Sequence, residues 1–235
     1  MTGTGVNSSA NTGIGYSVLN STTTGFNNTA VGYSALFSNQ DGNSNTAMGP
    51  SAMLLNISGL RNTAVGISAM HDNSTGNYNT ASGALSLADN TVGNFNTAHG
   101  SQSLQKNTTA SQNTAIGREA LYTQSYSNGG STWNGDNEAM GYRALYCNQP
   151  TSTGNGIGNS ALGTYALNTN STGFNNTAVG YNADLSVNNL TNTTSVGYNA
   201  VASASNQVRL GNANVTSLFC QGAYVARTGL MPNFQ

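Results

Sequence analysis

Two carboxylates, Asp136 and Glu138, stand two residues apart and are the only close acidic pair among the seven acidic residues of the chain. On an extended strand that spacing puts both side chains on one face, the arrangement a glycosidase needs for an acid and a base. The other carboxylates, Asp41, Asp72, Asp89, Glu119 and Asp184, are scattered along the sequence, and Asp136 and Glu138 flank a polar segment where solvated charge is the ordinary state. Clustered acids, bases and nucleophiles are therefore missing, and the expectation is a non-enzymatic protein without a cofactor. His71 and His99 are too few and too far apart for a metal site within one chain, although a threefold axis would bring three copies of His99 together. Cys147 and Cys220 are too few for a disulfide scaffold.

The strongest candidate for binding is the polar segment itself, Tyr122 to Asp136, which contains the only tryptophan. An exposed Trp133 with Tyr126, Asn134 and Asp136 beside it would stack on a sugar ring and hydrogen-bond its hydroxyls. The alternative is that Trp133 folds back to cover the body of the protein or seals a contact between subunits.

Composition narrows the remaining classes. Asn (37), Thr (29), Ser (27) and Gly (29) fill slightly more than half of the 235 positions, and charged residues make up only 6%. Disorder usually couples low hydrophobicity to high net charge, whereas here the net charge is −1 and 37% of residues are hydrophobic. Six Lys and Arg supply no basic footprint for nucleic acid or anionic membrane. No run approaches the ~20 apolar residues of a membrane-spanning helix. Met1 to Asn20 lacks the basic start and apolar core of a secretion leader, so export would need a leader from elsewhere.

The elements that would position these residues come from a repeat. Asn28-Thr29-Ala30-Val31-Gly32-Tyr33-Ser34-Ala35-Leu36 recurs with a 17-residue period, its glycine falling at Gly15, Gly32, Gly49, Gly66, Gly83, Gly100 and Gly117. After a jump of 24 it reappears at Gly141, then at Gly158, after 22 at Gly180, and at Gly197, eleven copies in all with loop insertions near 122–136 and 159–172. The residue before the glycine (Val31, Val65, Ile116, Ile157, with Ser82 and His99 as exceptions) and the fourth residue after it, where only Asp184 is not apolar, predict two buried stripes. Small residues between them, such as Ala35 and Ala69, predict close-packed layers. Alternation within Asn27–Gly32 predicts a short strand with Thr29 and Val31 on one face and Ala30 on the other. A second glycine three places before the motif Asn, as at Gly25, Gly42 and Gly173, predicts a turn with positive φ. One such unit cannot enclose a core, so stability must come from stacking, as in other solenoids.

Two stripes per coil rather than three favour a flattened roll over a three-sided helix, and a roll so thin predicts copies packed side by side as a homotrimer. The recurring Asn28, Asn45, Asn62, Asn79, Asn96 and Asn113 would form a hydrogen-bonded ladder, or else occupy left-handed turn positions.

Asn27-Asn28-Thr29-Ala30-Val31-Gly32 resembles the Asn-Ser-Val-Ala-Ile-Gly repeat of trimeric autotransporter adhesin heads, the YadA-like left-handed parallel β-roll, and more closely the Asn-Thr-Ala-x-Gly-x-x-Ala-Leu arrays of phage tail fibres and bacterial surface proteins. The likeness covers residues 11–201 and differs from the adhesins in a coil of 17 rather than about 14 residues. Asn206 to Leu218 is similar to the junction that follows such arrays, often ahead of a self-cleaving chaperone, so residues 202–235 read as a C-terminal β segment. The resemblance implies an all-β solenoid of about eleven coils in an extracellular, cell-surface or virion fibre, with host-surface glycan or protein as partner and many weak contacts adding up. The alternatives are an architectural filament joined end to end through strand edges at Met1 to Asn11 and beyond Val201, an ice-binding protein, and a tailspike glycanase. For ice binding, the one threonine per coil (Thr12, Thr29, Thr46 and so on) is a single file expected to face inward.

Overall fold

Steric alternation in a three-residue strand decides the whole architecture. The computed structural model describes residues 5–6 and 10–217. Each coil contributes one strand, Thr12–Ile14, Thr29–Val31, Thr46–Met48, Thr63–Val65, Thr80–Ser82, Thr97–His99, Thr114–Ile116, Glu138–Met140, Ser160–Leu162, Thr177–Val179, Thr194–Val196 and Val208–Leu210. These twelve pair in parallel and in sequence order, as where Thr46, Ala47 and Met48 lie between Thr29, Ala30 and Val31 on one side and Thr63, Ala64 and Val65 on the other. Gly5–Val6 adds an antiparallel strand against Thr12–Gly13 and covers the N-terminal edge. The protein is thus an all-β parallel solenoid, about 55 Å long at ~4.8 Å per layer. One short 3-10 turn, Asn128–Gly130, is the only helical segment among the described residues.

The array has twelve coils, one more than the motif count, because Val208–Leu210 stacks on Thr194–Val196 with a step of only 14 residues. The coil assigned to Gly158 is also corrected. Ser160–Leu162 pairs with Glu138–Met140 and Thr177–Val179, so Asn159 and Gly163 are the motif residues and the extra residues lie before the strand, not in 159–172.

Only one of the two expected stripes is buried. Ala30, Ala47, Ala64 and their equivalents point inward and are fully buried, as are Leu36, Met53, Met70, Leu87 and Leu104. The stripe before the glycine faces out: Ile14 is 50% exposed, Met48 45% and Leu162 47%. The flattened coil has width for an alanine opposite a leucine and no more, so the larger aliphatic lands on the other face of the same strand. Thr12, Thr29, Thr63 and Thr97 share that outer face, contrary to the inward placement expected for them.

The inward leucines sit in a left-handed backbone, φ +50° at Leu36 and +51° at Leu87. This conformation disfavours β-carbon-bearing residues by roughly 1–2 kcal/mol. Coil-to-coil hydrogen bonds hold it: the Leu36 amide donates to the Ala52 carbonyl at 3.0 Å and the Met53 amide to Ala69 at 3.0 Å. Gly66 illustrates the close approach of neighbouring layers at the motif glycine. Its φ is +133°, and a β-carbon there would lie 2.6 Å from the Gly83 carbonyl oxygen of the next layer. Gly59, expected to supply positive φ, does not adopt it. It is glycine because a β-carbon would meet the amides of Asn56 and Asn73 at 2.3 and 2.6 Å.

Candidate functional site

Two files of buried amides run along the roll, the first from Asn11 to Asn176 and the second from Asn39 to Asn170. Asn62 illustrates the first: its Oδ1 accepts from the Asn79 backbone N–H at 2.9 Å, and its Nδ2 donates to the Gly76 carbonyl at 2.8 Å. The same pattern joins Asn28, Asn45, Asn79, Asn96 and Asn113 to their neighbours. The left-handed residue is the one before, at Asn27, Ser44 or Arg61, so the amide bonds rather than a turn requirement account for the asparagine. A second file, Asn39, Asn56, Asn73, Asn90 and Asn107, bonds side chain to side chain, Nδ2 of each donating to Oδ1 of the one before at 2.6–2.9 Å. Sequence reasoning missed it, although it lies eleven residues after the first file in each of these coils. Gln124 and Asn148 carry it past the inserted segment.

Trp133 is 6% exposed and folds back onto the roll. Its Nε1 donates to Thr109 Oγ1 at 3.1 Å, its backbone pairs with Ala110, and Tyr126 meets it edge-on at 5.8 Å between ring centres. The indole face needed for sugar stacking is therefore covered, because Trp133 fills the slot that a turn residue fills in a regular coil. Tyr126 is half-buried, while Asn134 and Asp136 are exposed. Asp136 and Glu138 do not share a strand face, since Asp136 sits at φ +50° before the strand begins. Glu138 instead occupies the threonine file of the sheet.

The outer face of the sheet is uncovered along the described coils. It carries a hydroxyl file, Thr12 to Thr194, broken by Glu138, and an aliphatic file of Ile14, Met48, Val65, Met140, Leu162, Val179 and Val196, broken by Ser82 and the exposed His99. Between Thr114 and Val179 a hollow opens with Met140 and Leu162 on its wall and Ala139 and Ala161 as its floor. No hydrogen bond of the described residues engages the hydroxyls of Thr29, Thr63, Thr80 or Thr97, so the face is chemically unspent.

A second surface lies on the turn that follows the motif glycine. Tyr16 stacks on Tyr33 at 5.5 Å and Tyr181 on Tyr198 at 5.7 Å. In the middle of the rod the same turn carries Arg118, Glu119, Tyr142 and Arg143, with Glu119 7% exposed and bonded to both guanidiniums. Burial opposes ionisation of Glu119, but Arg143 and Arg118 outweigh it and hold its carboxyl below the ordinary range. Asp184 is the opposite case: burial dominates and raises it, although Thr169 donates its N–H and hydroxyl to the carboxylate. Asp184 takes the leucine slot of its coil and Leu185, 3% exposed, supplies the apolar side chain in its place.

Cys147 is half-buried, and burial followed by the nearby Asp184 charge raises its thiol. Cys220 and the rest of 218–235, together with residues 1–4 and 7–9, lie outside the described residues. Among the described residues no three His, Cys, Asp or Glu side chains come together, and no helix is long and apolar enough to cross a membrane. Comparison with family models and with the curated proteins gives no match.

Proposed function

We propose that the chain is a non-enzymatic segment of an extracellular or virion fibre, a rigid homotrimeric rod with an adhesive surface. The observation that carries this reading is the uncovered aliphatic file on a roll whose own interior is already full. Two outward rows about 7 Å apart, running the length of the rod, make a face of roughly 500 Å². Three such faces turned toward a common axis bury on the order of 1,500 Å² in total, about 500 Å² for each pair of chains, below the standard two-partner size, so the flanking turns must add to the contact. Each aliphatic file then touches both neighbours, and the flat in-register surface suits the close interdigitation of stacked sheets. The buried amide files and the backbone bonds between every layer supply the stiffness a spacer needs.

Replacing Val65 by Lys tests it. A cation in the middle of the shared interior splits the assembly into single chains in sedimentation velocity, with the circular dichroism of the roll retained. Unchanged sedimentation of Val65→Lys would remove this face from the interface.

The outward threonines favour one further reading. In a single, unassociated chain the same hydroxyl and methyl rows would order water, and ice binding would follow. Thermal hysteresis from a monomer would support that reading in place of the fibre. The end-to-end filament has less in its favour, since Gly5–Val6 already covers the N-terminal strand edge.

A further inference from the structure

The chain has few charges, yet two of them are gathered on neighbouring coils. Among the described residues Lys106 is paired with Asp89, and Arg61 and Arg209 stand on other coils, so Arg118 and Arg143 are the one place where two cations converge. Both guanidiniums lie over the ring of Tyr142, at 5.8 and 5.3 Å from its centre, and Arg143 also lies 4.9 Å from the centre of Tyr146. Tyr146 in turn stacks on Tyr122 at 5.2 Å with rings nearly parallel. Glu119, almost completely buried, spends one carboxylate oxygen on each arginine, Oε1 on Arg118 Nη2 at 2.8 Å and Oε2 on Arg143 Nε. No hydrogen bond among the described residues uses the two Nη atoms of Arg143 or the Nε and Nη1 of Arg118. The Arg118 side chain is 62% exposed.

The cluster therefore holds one net positive charge, braces both forks from beneath, and leaves several N–H donors directed away from their only carboxylate. A guanidinium edge of this kind takes an oxyanion through paired hydrogen bonds, and stacking on tyrosine limits the rotamer entropy lost in doing so. The flanking tyrosines add hydroxyls and apolar ring surface, which suits a pyranose rather than a bare ion.

We propose that Arg118 and Arg143, braced by Glu119 and flanked by Tyr142 and Tyr146, bind the carboxylate or sulfate of an acidic polysaccharide. This rests on the reading of the rod as an adhesive surface, but not on the number of subunits. It moves the glycan contact from the Trp133 loop to the turn beside it.

The test uses the intact chain in affinity electrophoresis and calorimetry with three probes: alginate for carboxylate, dextran sulfate for sulfate, and unmodified dextran as the neutral control. The expected result is binding to one or both polyanions and none to dextran, despite the net charge of −1. Arg118→Gln weakens that binding at least tenfold, Arg118→Lys weakens it less because charge is kept and the fork lost, and Arg61→Gln leaves it unchanged. Binding to neither polyanion, equal binding to dextran, or equal loss in Arg61→Gln and Arg118→Gln overturns the site. Sedimentation of the same samples keeps the two ideas separate. Polyanion binding by a monomer contradicts the trimer alone, and a trimer that ignores both polyanions contradicts the site alone.

Discussion

Substituting Asn62 by Ala removes one rung from the first amide file. The Asn79 backbone N–H, 2.9 Å from Asn62 Oδ1, loses its partner inside a layer that water does not reach, whereas the Gly76 carbonyl, 2.8 Å from Nδ2, keeps the Asn73 amide at 3.1 Å. A buried polar group left unsatisfied costs about 1–3 kcal/mol, so the stranded N–H predicts a loss of about 1–3 kcal/mol. The loss acts locally, because each coil of a solenoid contacts only its neighbours, and it falls between the fourth and fifth coils. Guanidinium unfolding followed by far-ultraviolet circular dichroism should show a lower midpoint and a broader transition, as the two sides of the defect come apart separately. Thr63→Ala, one residue on, is the control, because the Thr63 hydroxyl takes no hydrogen bond among the described residues and its removal strands no buried polar group. Asn62→Asp should cost at least as much as the alanine. It keeps an acceptor for Asn79 but sets a second oxygen against the Gly76 carbonyl and against Asn45 Oδ1, now 3.2 Å from the Asn62 amide nitrogen. If Asn62→Ala unfolded at the same midpoint as Thr63→Ala, the amide file would not be what holds the layers, and the physical account of the fold would fail.

Further outcomes follow from other positions. Gly66→Ala forces a β-carbon to 2.6 Å from the Gly83 carbonyl at φ +133°, and should destabilise the array by about 3 kcal/mol or more, measured by thermal unfolding. Asp184 has a raised carboxyl, so its contribution is fully present at low pH and is lost as pH rises through its folded-state value. Asp184→Asn should therefore gain stability relative to the parent above the ordinary carboxylate range and not below it, read from melting temperature against pH. Glu119 has the opposite sign: what it contributes is present at neutral pH and is lost as pH falls through its lowered value, so Glu119→Gln should be destabilised at pH 7 and should converge with the parent in acid. Trp133, the sole tryptophan and 6% exposed, should emit at short wavelength, resist quenching by acrylamide, and show no shift when saccharides are added.

The period of the fold was readable because stacked layers repeat one chemical environment every 17 residues, and a small residue, a leucine and an asparagine return with it. Which face of the strand looks inward was harder to read. Val31 and Val65 are the more hydrophobic members of Thr-Ala-Val, and hydrophobicity alone sends them inside. The space between two walls of a thin roll admits Ala30 and Ala64 instead. A signal was present: the middle position stays Gly, Ala or Ser in the first eleven coils, whereas the position before the glycine tolerates Ser82 and His99, as a surface does. The same rule would have set the register of the ninth coil, where Asn159-Ser160-Ala161-Leu162-Gly163 repeats the pattern and Asn155-Gly156-Ile157-Gly158 does not. Trp133 could be read two ways, as a sugar platform or as a cover for the body, and it takes the second. An insertion announces that residues leave the stack, but the choice between the two depends on the gap beside Thr109, which exists only once the coils are stacked. The Arg118, Glu119 and Arg143 cluster was not visible in one dimension, because Arg118 and Arg143 are 25 residues apart in sequence and adjacent only once the coils are stacked.

The side-by-side sharing of the outer sheet face is tested most directly by the mass of the native particle. Light scattering or native mass spectrometry of the intact chain, over a hundredfold range of dilution, should give three times the 24.0 kDa of one polypeptide. A particle of 24.0 kDa at every concentration, with the aliphatic file left open to water, would contradict it.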